Sequence, residues 1–126
     1  LSVFVFNLMK TVLILLLLFV FACNKPDEIA PEISITSPEQ NQIFVAGQTV
    51  TIKGTVTDNV GVHMVHVIVV DDAGGHWVHS EEHVDGKTYN INKTFITNPG
   101  KIYTVHIDAT DHDENTTQKE LTISSN

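Results

Sequence analysis

The 126-residue chain contains no arginine, one cysteine and one tryptophan. Seven lysines face fifteen acidic residues, for a formal net charge of −8. Binding to nucleic-acid phosphates needs clustered Lys and Arg, so no nucleic-acid partner is expected. A lone thiol has no partner for an internal disulfide. No G-x-S-x-G string occurs and the serines lie in strand-like or terminal stretches, so nucleophilic catalysis has no candidate. Helical apolar periodicity is also missing from the region that can fold. The chain is expected not to be an enzyme.

The long apolar run is confined to the start. From Met9, "MKTVLILLLLFVFAC" has a short basic opening, an apolar stretch from Val12 to Phe21, then Ala22 before Cys23. That is the layout of a secretory signal, too short for a comfortable membrane span. The expected true start is Met9, and residues 1–22 are set aside from fold reasoning. "VFAC" resembles the lipobox of bacterial lipoproteins, although Phe21 and Val20 depart from the usual small residue and Leu. The resemblance implies that Cys23 is lipidated and becomes residue one, an anchor stronger than a single acyl chain. "CNKPDE" resembles the tether that sends some Gram-negative lipoproteins to the outer face of the outer membrane. The expected location is therefore the bacterial outer membrane, lipid-anchored and surface-exposed, with the periplasmic face as the alternative. Residues 23–31 read as a lipidated cysteine and flexible tether, and residues 32–126 as one domain.

Within that domain almost every segment alternates with period two. "EISITS" (32–37) and a short edge around "QIFVAGQ" come first. "TVTIKGTVTD" (49–58) places Val50, Ile52, Gly54 and Val56 on one face. "NVG" (59–61) is expected to turn the chain into a strand over 62–70, with Val65, Val67 and Val69 inward and Met64, His66, Ile68 and Val70 outward. "DDAGG" (71–75) makes a hairpin into 76–84, "DGK" (85–87) another turn, and strands follow at 89–96, 102–111 and 116–124. Seven to eight short antiparallel strands separated by turn residues predict an all-β sandwich.

"SPEQNQIFVAGQTVTIKGTVTDNVGV", followed later by "PGKIYTVHIDATDHDEN", is similar to the Ig-like domains of bacterial surface lipoproteins. Tyr103 matches their tyrosine near the start of strand F. The resemblance covers about residues 31–124 and implies an Ig-like or fibronectin III-like sandwich. It implies a non-enzymatic binding, adhesion or display role.

Seven histidines are the most unusual content. "HSEEH" (79–83) fits the H-x-x-E-H pattern of zinc peptidases, which requires a helix. On a strand His79 and His83 would lie about 13–14 Å apart, too far to share one zinc. Only cross-strand neighbours could chelate. Centring the hairpin on Ala73-Gly74 sets His66 opposite Glu81 with His79 diagonal, and on strand F His106 and Asp108 face the same side. His66, His79 and His106, with Glu81 or His83 at the rim, are thus the expected ligands of Zn²⁺, Cu²⁺ or Ni²⁺ if a metal binds. An ordinary His-bearing strand surface and a proton-sensing face are the competing readings.

Two further sets stand out. Asp58, Asp111, Asp113 and Asn115 belong to turns at one end of the expected sandwich and could gather oxygens for Ca²⁺. "DHDENT" is not an EF-hand, because Thr116 and Thr122 replace its Gly and Glu. Asp and Asn are also simply good turn formers. Trp77, with Ile68 and Val70 on the same expected face, would form an exposed aromatic platform for a protein or glycan partner. Asp71-Asp72 and Glu81-Glu82 read as solvated turn and edge charges.

Overall fold

The computed structural model describes residues 1–5, 7, 10 and 25–126. Cys23 and most of the leader, which carry the secretion and lipidation expectations, lie outside the described residues. Among these, no helix is long and apolar enough to cross a membrane.

Six strands follow in order: β1 (Glu32–Ser37), β2 (Ile43–Phe44), β3 (Thr49–Asp71), β4 (His76–Ile96), β5 (Ile102–Asp111) and β6 (Thr116–Ser125). They form one sheet ordered β1-β3-β5-β6-β2, with β4 also paired to β3. All pairings are antiparallel except the two-residue contact of β2 with β6. The first half of β3 lies between β1 and the second half of β4. Its second half lies between the first half of β4 and β5. The sheet curls so that both halves close on a single core. This is the all-β, Ig-like fold that the alternation and the family resemblance together imply, with six strands in place of the expected seven to eight.

The turns expected at residues 59–61 and 85–87 do not interrupt the strands. Thr57 pairs with Thr88 and Val62 with Gly86, so four residues of β3 oppose only Lys87 of β4. Such a bulge bends a ribbon and increases its twist without ending the pairing. The β3–β4 ribbon thereby passes from one half of the sandwich to the other.

Alternation places the core as expected. Val50, Ile52, Val56, Val65, Val67, Val69, Val105, Ile107 and Ala109 are fully or almost fully buried. Buried Tyr103 accepts the Asn98 backbone N–H on its hydroxyl at 2.6 Å, tying strand to preceding turn. At Gly54 the backbone of β1 comes so close that an added Cβ would overlap the Ser34 carbonyl oxygen. That close approach explains a glycine inside an otherwise β-branched run.

Candidate cation centre and histidine face

Asp58 lies in the β3 bulge and Asp111 at the end of β5, and the pairing of Val62 with Asp111 draws these two places together. Asp27 reaches them from the segment before β1. One ligand oxygen from each of Asp27, Asp58 and Asp111 lies within 4.8 Å of the others. The Asp58 carboxylate is buried although the residue as a whole is half covered, and Asp111 is 2% exposed.

Backbone N–H groups and one side-chain amide hold oxygens of Asp58 and Asp111. Asp58 Oδ1 accepts the Val60 and Gly61 N–H groups at 2.8 and 2.5 Å. Asp111 Oδ1 accepts those of Asp113 and Asn115, each at 2.8 Å, and its Oδ2 accepts the Asn115 amide at 2.7 Å. Burial pushes the Asp111 pKa up. The Asn115 side chain, the Asn115 and Asp113 N–H groups and nearby His112 outweigh it and leave the carboxyl below its usual range. By contrast, Oδ2 of Asp27 and Oδ2 of Asp58 are sealed from solvent and have no hydrogen-bond partner.

Of the expected oxygen set, Asp58 and Asp111 do converge. Asp113 and Asn115 are engaged differently: Asp113 Oδ2 accepts the Asp27 N–H at 3.0 Å, and the Asn115 amide donates to the Asp27 carbonyl at 2.9 Å. The third carboxylate is Asp27, which sequence reading placed in a flexible tether. From Asp27 onward that tether is docked. No spacing rule links residue 27 to residues 58 or 111, so only its place just ahead of the first strand hints at the role.

On the outer face the expected register holds. His66 pairs with Glu81 on one side and Asp108 on the other, while Ile68 pairs with both His79 and His106. Ile68 therefore separates His79 from His106 by two strand spacings, about 9–10 Å. His106 Nδ1 instead lies 3.0 Å from Glu120. His66 Nε2 is 2.9 Å from Glu81 without a hydrogen bond to it, and His83 Nε2 is 3.6 Å from the other Glu81 oxygen. The structure brings together His66, Glu81 and His83, and leaves His79 and His106 outside that group. Two histidines missed in the sequence join it. His63 sits in a second bulge between Val62 and Met64, with ring centroids 5.7 Å from His83 and 4.7 Å from His112.

Trp77 does not share a face with Ile68. Val69 pairs with Val78 and Val70 with His76, so Trp77 is the extra residue of a bulge and turns inward. Its ring meets Tyr103 edge-on at 5.5 Å and Phe95 at 6.4 Å, and its Nε1 donates to Asp71 at 3.1 Å. The exposed aromatic platform is therefore absent, and half-buried Ile68 shares its face with half-buried Val70 and pairs with His79 and His106.

Residues 31–123 match the model of the bacterial Ig domain. The chain belongs to the bacterial Ig domain family. Among curated proteins, none matches it. The Ig domain is similar in structure to the fibronectin(III)-like modules of Clostridium thermocellum CbhA, with TM-score 0.51 and 18% identity. That match covers 77% of this chain and 48% of the other, so the chain spans about half the length of that relative. It is also similar to a chain in the human seminal plasma complex of zinc 2-glycoprotein and prolactin inducible protein. There the TM-score is 0.49 and the identity 10%, over 83% of this chain and 99% of that one. At these identities the likeness concerns fold alone. Ig-like and fibronectin III-like domains are typically non-catalytic, and the family points to a binding or structural role.

Proposed function

We propose that this protein is a lipid-anchored component of the bacterial cell envelope whose Ig domain binds or displays rather than catalyses. The observation that carries the reading is the arrangement of the chain. An apolar leader ends at a lone cysteine, and only the short 24–30 segment separates it from an Ig domain. The polar, proline-containing segment suits an outer-membrane anchor. A protein or glycan is the partner class for such a module.

Metabolic labelling with an alkynyl fatty acid in a Gram-negative host tests the anchor. The wild-type chain should be labelled and sediment with membranes, whereas Cys23→Ala should lose both properties. An unlabelled wild type, or a Cys23→Ala protein that stays on membranes, would refute it. Protease treatment of intact cells separates surface from periplasmic display.

A second reading is favoured by one contact set, the bridging of His66 and His83 by Glu81. Imidazole and carboxylate suit Zn²⁺, Cu²⁺ or Ni²⁺. Calorimetric zinc titration of the wild type should show one equivalent bound in the micromolar range, lost in His66→Ala/His83→Ala and retained in His79→Ala. Binding that ignores the double substitution would remove transition-metal handling from consideration.

A further inference from the structure

We propose that Asp27, Asp58 and Asp111 bind a Ca²⁺ ion that fastens the segment preceding β1 to the loop end of the sandwich. This inference is independent of the lipid anchor. Three carboxylates clustering at a surface would mean little, since aspartates are common in turns. Here the Asp58 carboxylate is buried; Oδ1 is taken by the Val60 and Gly61 N–H groups, and Oδ2, the oxygen left to offer the cluster, has neither solvent nor donor. Asp27 Oδ2 faces the same predicament. Among the described residues no lysine forms an ion pair with any of the three, and the basic group near Asp111, His112, does not reach the free oxygens of Asp27 and Asp58 with a hydrogen bond. Buried anions without a counter-charge are strongly unfavourable, and a protein normally pairs them or gives them to a metal.

The chemistry selects the ion. An all-oxygen donor set favours a hard cation over zinc or copper. Oxygens that share one Ca²⁺ lie about 2.3–2.6 Å from it, so they can be up to roughly 5 Å apart, and one oxygen from each of the three lies within 4.8 Å of the others. Mg²⁺, at about 2.0–2.1 Å, demands a tighter set. Water and nearby carbonyls would complete the shell. Backbone N–H groups already fix the second oxygen of Asp58 and Oδ1 of Asp111 in orientation, and the Asn115 side-chain amide fixes Oδ2 of Asp111. Asn115 and Asp113 hold the Asp27 backbone against the same loop, which makes them positioning residues.

The test is calorimetry and thermal melting of the full chain in detergent, with CaCl₂, MgCl₂ or EDTA. One equivalent of Ca²⁺ should bind, with a rise in Tm and a much weaker response to Mg²⁺. Asp27→Asn, which leaves the core untouched, should weaken Ca²⁺ at least about tenfold, a loss comparable with that from disturbing a metal's supporting residues. Asp58→Asn keeps its acceptor for Val60 and Gly61 but removes the buried charge. It should melt above the wild type in EDTA and below it in Ca²⁺, a crossover that a purely structural aspartate does not produce. Absence of Ca²⁺ binding by folded wild type would overturn the proposal. So would Ca²⁺ binding that is unchanged in both variants.

Discussion

Asp71 shows how far one carboxylate can organise its surroundings. It accepts the N–H groups of Ala73 and Gly75 at 2.9 and 2.8 Å and the Trp77 indole, and Lys101 lies 3.4 Å away. The Gly75 N–H and the indole are the main reasons its pKa falls to about 2; burial opposes them, and Ala73 and Lys101 assist. A depressed folded-state pKa means that the ionised form stabilises the fold. That contribution is complete above the unfolded value near about 3.9 and disappears as pH falls toward 2. Melting curves at pH 2–6 should show Tm falling between pH 4 and 2. Asp71→Asn should melt lower at pH 6 and fall less steeply through that window. Asp111 and Glu82, also shifted down, will preserve part of the slope. Identical pH profiles for the two proteins would contradict this role. The adjacent carboxylates 71 and 72 look alike in sequence, yet only Asp71 lies nearly covered within a web of donors. Glu82 likewise looks like an edge charge and instead meets Lys93 at 2.7 Å.

At the scale of elements, alternation is a strong guide to where strands lie and a weak one to where they stop. Every buried position of β3 between Val50 and Val56, and between Val65 and Val69, falls on the face that period two assigns. "NVG" and "DGK" carry residues that suit turns and bulges equally, so local sequence does not distinguish a chain reversal from a bend. The same limit explains Trp77: one extra residue between His76 and Val78 moves a side chain to the opposite face. Gly54 illustrates a constraint imposed between elements. Its neighbours favour a β-branched residue, but the Ser34 carbonyl leaves no room for a methyl group. Gly54→Ala should force β1 away from β3 and cost about 1–3 kcal/mol, the range for overpacking a tight contact. Urea unfolding measures it, and an unchanged midpoint would show that β1 shifts freely.

For the whole molecule, the Ig fold is legible because it rests on many repeated, redundant signals. The carboxylate cluster is not, since it joins one residue from each of three segments far apart in the chain. Its two loop members are visible as turn aspartates; Asp27 becomes visible only once β1 lies beside β3. The histidine face is intermediate: cross-strand register predicts the His66–Glu81 pair, but Ile68 lies between His79 and His106. The position of β1 also has a mechanical consequence. Glu32 begins the strand at the loop end, and five register pairs tie β1 to β3 along its length. A pull transmitted from the leader side therefore loads that ladder in shear. Because antiparallel hydrogen bonds lie across the strands, they must yield together rather than peel apart singly.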